Sequence, residues 1–354
     1  MERPLVLGIE TSCDDTACAV LDGRGRVLSS VISSQLAAHR PYGGVVPEIA
    51  SREHLANWLP VSREALEEAG VAPAQLDVIA ATRGPGLVGA LLVGLSIGRA
   101  MAFALGRPFH AIHHLEGHLY SPFLHTERGR GAQAADAPPP RFLGLVLSGG
   151  HSSLFAVADG GVATLGETRD DAFGEVFDKV GKRLGLPYPQ GPRVDELAEG
   201  GDAAACRLPV PGCGDTLDFS FSGLKSQALS EIERLERREG PLDLGADPAA
   251  SPAALDLLAG FRAAAVAQVV DRLDRLASRQ GIELLAVSGG AAANRLLRRE
   301  LPLWSARRRI PLLLVPFLYA GDNAAMIAHA ALLRHRRGLA DDPFAAEAES
   351  RIPL

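Results

Sequence analysis

The chain repeats itself, and the repeat limits the folds open to it. Residues 5–30, LVLGIETSCDDTACAVLDGRGRVLSS, and residues 142–167, FLGLVLSGGHSSLFAVADGGVATLGE, share one layout. Each reads as an apolar strand, a small or polar turn, a second strand, a turn on Asp22-Gly23 or Asp159-Gly160-Gly161, and a third strand. Helical periodicity follows both copies, around 49–70 and 87–106 in the first half and around 171–185 and 255–280 in the second. A three-strand unit followed by helices, used twice, predicts an α/β chain of two duplicated domains flanking a ligand cleft. The boundaries expected are 1–124 and 142–323, joined by a Gly-, Ala- and Pro-rich loop at 125–141. A helix over 324–337, ending at Gly338, can pack back on the first domain, and 338–354 reads as an irregular tail.

With 354 residues, 47% of them hydrophobic, the chain can bury a large core, which excludes disorder for most of it. Cys13, Cys18, Cys206 and Cys213 form no CxxC pair and are too sparse for a disulfide scaffold, so a reduced, cytoplasmic setting is expected. Glu2 and Glu10 argue against an N-terminal targeting segment. The apolar stretch 87–105 is interrupted by Arg99 and contains Gly89, Gly94 and Gly98. It reads as a buried helix lying close on a sheet, not a membrane span.

Three turns carry candidate chemistry. Gly8-Ile9-Glu10-Thr11-Ser12-Cys13-Asp14-Asp15-Thr16 crowds hydroxyls, amides and carboxylates at a strand end, suited to a phosphate or a metal-bound phosphate. A plain hairpin-closing Asx or Ser/Thr turn is the alternative. Val146-Leu147-Ser148-Gly149-Gly150-His151 holds the same place in the second copy, where glycines let backbone amides approach an anion. Ser288-Gly289-Gly290 follows the strand Leu284-Leu285-Ala286-Val287 and leads into a helix start at Asn294, a strand-turn-helix arrangement that favours a nucleotide. His114 and His118 in HHLEGH fall on one helical face and can share a metal, although such a pair is also common at surfaces. Asp322 is the candidate third ligand, with a simple N-cap as its competing role. Two His and a carboxylate suit Fe(II) or Zn(II) better than Mg(II). Asp178 could reach a ribose hydroxyl, and FSFSGLK reads as a strand end carrying Lys225. No Ser-His-Asp spacing supports an acyl-enzyme.

Taken together, GIETSCDDT, YGGVVPEIASREH, GPGLVGALLVG, HHLEGH, LVLSGGH, DDAFGEVFDKV, FSFSGLK, SGGAAANRLLR and GDNAAMIA, in order over about residues 5–328, resemble the tRNA N6-adenosine threonylcarbamoyltransferase family. The resemblance implies the duplicated actin, sugar-kinase and Hsp70-like fold. It implies transfer of threonylcarbamoyl from threonylcarbamoyl-AMP to N6 of adenosine 37 in tRNAs reading codons that begin with A. By motif, one divalent metal, Fe(II) or Zn(II), would sit on His114, His118 and Asp322 as Lewis acid and template. The adenylate would contact Val146, Leu147, Ser148, Gly149 and Gly150, with Asp178, Gly191, Asn294 and Asp195 near its nucleotide part. Glu10, Asp14 and Asp15 would line the same cleft, one of them assisting proton removal. A bacterial member would act with a TsaB-like paralogue and a TsaE-like ATPase, away from membranes. The chain departs from the family pattern at Gln190, where the family has glycine, and at Ala320-Gly321, where it has Cys-Thr.

A kinase or ATPase of the same fold would use the three turns equally well, but would bind Mg(II) without a histidine pair. A metallopeptidase lacks a placed general base, and a non-catalytic scaffold need not keep the ligands. The net charge, 36 − 42 = −6, argues against a polyanionic partner only as an average. Between 295 and 337, nine arginines face Glu300 and Asp322, a local excess of 9 − 2 = 7 that is expected to form a phosphate-contacting surface or a solvated helical face.

Overall fold

The computed structural model describes residues 3–124, 141–158, 161–210, 212, 214–247 and 251–354. Its chain divides into two compact units, Met1–Pro139 with Val315–Leu354, and Pro140–Leu314. The loop expected at 125–141 lies outside the described residues except for Arg141, which already opens a strand, and so do Asp159-Gly160 of the second turn.

The first unit begins with β1 (Val6–Glu10), β2 (Asp15–Leu21) and β3 (Val27–Ser34), each antiparallel to the next. Then come α1 (Leu36–His39), α2 (Pro47–Ala69), β4 (Val78–Gly84), α3 (Val88–Leu105), β5 (Phe109–His113) and α4 (His114–Tyr120). β4 returns to the other side of β1 in parallel, giving the order β3-β2-β1-β4-β5. That central place explains why all five residues of β1 are buried. α2 starts with Pro47 and stops at Gly70, as a helix with Pro at its first position and left-handed Gly beyond its last should. α3 lies on the sheet as expected, its Gly98 facing Ala81 and Phe109. It and the helix Pro252–Arg279 of the second unit are, among the described helices, long and apolar enough to cross a membrane, but each packs within its own unit.

The second unit holds β6 (Arg141–Leu147), β7 (Ser152–Ala158), β8 (Gly161–Glu167), α5 (Phe173–Arg183), α6 (Gln190–Leu197), α7 (Ser222–Glu239), α8 (Pro252–Arg279), β9 (Leu285–Ser288), α9 (Arg295–Arg308) and β10 (Leu312–Leu314). Its strand order, β10-β9-β6-β7-β8, repeats the first sheet with the same sense of pairing. The duplicated α/β architecture read from the repeat is therefore present. Its core includes one aromatic cluster of Phe173, Phe177 and Phe261.

The chain then returns to the first unit through Val315–Leu354, so residues 315–323 group with the first sheet and not, as the sequence division had them, with the second. α10 (Ala324–Arg336) is buried along most of its length against β1, β2 and β4. The tail is irregular but pinned: Ala111 N–H donates to Asp341 Oδ2 at 2.9 Å and Glu349 N–H to the Arg83 carbonyl at 2.9 Å.

One side chain of this unit sets an acid limit on stability. His110 on β5 is fully buried, and neither ring nitrogen has a hydrogen-bond partner among the described residues. Burial, helped by His335 and Arg334 and opposed by Asp341, pulls its pKa down to about 4. Unfolded, it titrates near 6.5, so the folded state binds fewer protons between these values. Stability present above pH ~6.5 is lost as pH falls toward 4, by about 3 kcal/mol. Denaturant midpoints at pH 7 and 4.5 should differ less in His110→Leu than in the parent chain.

Candidate metal centre and nucleotide turns

α4 is built to present two histidines. His113 caps its start, accepting Leu115 N–H at 3.1 Å, and Gly117 lets it close on α10, where a Cβ would lie 2.9 Å from Ile327 and 3.0 Å from Met326. Glu116 locks the pair of helices through Arg334, at 2.6 and 3.0 Å. The segment before α10 thereby meets α4. His118 Nε2 lies 3.1 Å and His114 Nε2 3.4 Å from Asp322 Oδ1, with the two rings edge to face. The competing N-cap role for Asp322 is not what the structure has, because Asn323 caps α10 by accepting Met326 N–H at 2.9 Å.

The three ligand atoms lie within 4.8 Å of one another. His118 is fully buried, and its Nδ1 has no partner among the described residues, so its polar contact is the one at Nε2. Two imidazole nitrogens and one carboxylate oxygen, converging on one point, fit a borderline divalent cation. The other nitrogen of His114 is oriented by Glu10 Oε2 at 3.0 Å and Ser12 Oγ at 3.2 Å, the carboxylate-histidine arrangement that fixes a ligand ring. Glu10 is itself held by Thr82 Oγ1–H at 2.6 Å and Ser12 N–H at 2.5 Å. Thr82 went unremarked in the sequence, where nothing local distinguishes it, and Ser12 was read only as one of the hydroxyls of the first turn.

Electrostatics follow this geometry. Burial opposes charge on Asp322, yet His114 and His118 hold its carboxyl well below the usual range. Burial likewise opposes charge on His114, but Asp322 and Glu10 raise its pKa well above the ordinary value. Glu10 is lowered, with burial again outweighed by His114. Asp15, at the start of β2, goes the other way: burial, opposed by a Ser34 hydrogen bond and reinforced by Asp322, Asp14 and Glu10, pushes it up to about 7. Burial and Asp14 also push the Cys13 thiol far up, so it is no nucleophile.

In the second unit, Val146 pairs with Ser288, which sets the two glycine turns side by side at the ends of β6 and β9. α5 starts against the first turn, with Gly174 N–H donating to the Ser148 carbonyl at 3.1 Å. Gly149 and Gly150 are open, with nothing within 4 Å of a Cβ built on either. Asp178 on α5 accepts Gly191 N–H at 2.7 Å, and Asp195 accepts the Asn294 amide at 2.8 Å and Arg295 N–H at 2.9 Å. Asn294 Oδ1 caps α9 through Leu297 N–H at 3.0 Å. Gln190 does not obstruct these turns: it is buried, with its side chain turned against Gly181 of α5.

One expectation is corrected. FSFSGLK is no strand end: Ser222 begins α7, Asp170 braces that start through Ser220, Phe221 and Ser222, and Lys225 pairs with Asp171. Within the arginine run, Arg299 pairs with Glu199, Arg308 with Asp274 and Arg334 with Glu116.

Comparison with known proteins bears on the family and the fold. The chain is 45% identical over 98% of its length to the tRNA N6-adenosine threonylcarbamoyltransferase of Sorangium cellulosum, covering 97% of that protein. It is 47% identical to the Syntrophobacter fumaroxidans protein of the same name, over 98% and 99% of the two chains. Among solved structures, HypF of T. kodakarensis matches with a TM-score of 0.60 at 16% identity, over 94% of this chain and 48% of that one. Component A of the Acidaminococcus fermentans (R)-2-hydroxyglutaryl-CoA dehydratase matches at 0.51 and 14%, over 94% and 100%. These two likenesses bear on the fold, the duplicated actin, sugar-kinase and Hsp70-like one. With the sequence profile of the family matching residues 26–329, the chain belongs to the tRNA N6-adenosine threonylcarbamoyltransferases.

Proposed function

We propose that the chain transfers threonylcarbamoyl from threonylcarbamoyl-AMP to N6 of adenosine 37 in tRNAs reading codons that begin with A. The observation that carries the reading is the convergence of His114, His118 and Asp322 in the HHLEGH and GDNAAMIA motifs, which a kinase of this fold does not need. The second unit is assigned the adenylate: amides of Ser148, Gly149 and Gly150 and the end of β6 take the acyl-phosphate part. Asp178, Gly191 and Asn294 take the nucleoside, and Asp195 contributes by holding Asn294 in place.

The first unit is assigned the metal, Fe(II) or Zn(II), one per chain, which supplies Lewis-acid polarisation of substrate oxygen. Glu10 orients His114. The tRNA amine attacks the carbamoyl carbonyl, the bond to the AMP phosphate breaks, and the amine's proton passes to a carboxylate. Asp15 suits that last task, because a base works best with a pKa near the operating pH. Transfer should therefore rise with pH along a limb at or just below 7, a bound cation moving it down. In Asp15→Asn that limb should vanish from single-turnover profiles, and a limb left in place would remove Asp15 from the role.

A TsaB-like paralogue and a TsaE-like ATPase belong to the reading, as does a cytoplasmic setting. Leu55 and Leu59 on α2 and Leu92 on α3, exposed apolar residues of neighbouring helices, support an apolar helical partner. The function is tested by incubating the chain with Thr, bicarbonate, ATP, the adenylate-forming enzyme, these partners and unmodified tRNA. Nucleoside analysis should find threonylcarbamoyladenosine, and its absence would reject the reading.

A further inference from the structure

The YGGVVPEIASREH segment has no task in the transfer as assigned, yet a buried chain of hydrogen bonds ties it to the turn at 13–15. Val46 N–H donates to His39 Nδ1 at 3.3 Å. A ring nitrogen that accepts leaves the other protonated, and His39 Nε2 lies 3.1 Å from Gln35 Oε1. The Gln35 amide then presents Nε2–H to His54 Nδ1 at 3.1 Å, where Thr16 Oγ1 also lies at 2.8 Å. With Nδ1 accepting, His54 carries its proton on Nε2, which lies 3.1 Å from the Cys13 carbonyl. One assignment of amide orientation and tautomers satisfies every link.

His39, His54 and Thr16 are fully buried and Gln35 is 2% exposed, so this chain is costly unless complete. It ends on an irregular turn instead of on a helix or strand. Gln35 N–H holds the same turn by donating to the Asp14 carbonyl at 2.9 Å. Ser12, next to Cys13, meets His114, and Asp15 opens β2.

We propose that His54 is a positioning residue that fixes the 13–15 turn through its Nε2–H bond to the Cys13 carbonyl, and so places the Asp14 and Asp15 carboxylates for transfer. The inference rests on the transfer reading above. The test uses the full chain with its partners. His54→Leu should lower kcat about ten- to hundredfold, the scale of a misplaced reacting group, with KM for tRNA and adenylate changed less than about twofold. Bound metal per folded chain should stay at the parent value. His54→Gln, which can still donate to Cys13, should recover most of the loss.

A merely structural role would give a loss equal to the loss of folded, metal-loaded protein, with no recovery in His54→Gln, and either result would overturn the proposal. Nitrogen-15 spectra of histidine-labelled protein supply a readout independent of activity: His54 and His39 should both be neutral with the proton on Nε2. A proton on Nδ1 of His54 would overturn the proposal even if the parent chain formed no modified nucleoside, an outcome that rejects the transfer reading by itself.

Discussion

Asp322→Ala is expected to empty the chain of bound metal and to slow transfer a thousandfold or more, about 4 kcal/mol of barrier. Both Nε2 atoms converge on one oxygen of this carboxylate, at 3.1 and 3.4 Å, and no other described carboxylate makes such a set with the pair. The substitution should spare the fold better than most at a helix start, because the cap of α10 is Asn323. Metal analysis of the purified variant and single-turnover transfer check the prediction together. Asp322→Asn, which keeps the size but weakens the ligand, should fall between the two. An Ala variant that retains its metal would mean that the cation is held elsewhere.

The second large effect is expected at Gly289. Its φ of 91° lies where side chains are strained, and a Cβ there would overlap the Leu147 carbonyl oxygen on the neighbouring strand. Strain and overpacking together should cost about 3 kcal/mol or more in Gly289→Ala. Relief by parting the ends of β6 and β9 would spoil the adenylate turns, so weaker adenylate binding should accompany the lost stability. Gly149→Ala is the contrast, since a Cβ at that position meets nothing within 4 Å. Its denaturant midpoint should stay near that of the parent chain.

What could be read in advance depended on range along the chain. The repeat, the helices and the HxxxH face rest on periodicities of two to four residues, which local backbone geometry imposes. The three opening strands of each unit, β9, and α2, α3, α5 and α8 accordingly fall where the patterns place them, whereas β4, β5 and β10 were not read. Asp322 against Asn323 was not decidable, because neighbouring residues both suit a cap and a side-chain direction decides between them. The shell around His114 was also out of reach: Glu10 is 104 residues from His114, and Thr82 is 72 from Glu10. The partners of the arginine run were hidden for a related reason. Proximity in sequence put nine cations together, but long side chains turn toward whichever carboxylate folding brings near, as Arg334 does to Glu116.

In the proposed transfer, a cation on His114, His118 and Asp322 organises the acyl group for attack by tRNA. That role is tested most directly by single-turnover transfer from preformed threonylcarbamoyl-AMP, with partners present, using chain stripped by chelator and then reloaded. Stripped chain should form almost no threonylcarbamoyladenosine, and one equivalent of Fe(II) or Zn(II) should restore it, with no restoration in Asp322→Ala. Stripped chain that modifies tRNA at the rate of the loaded chain would contradict that role.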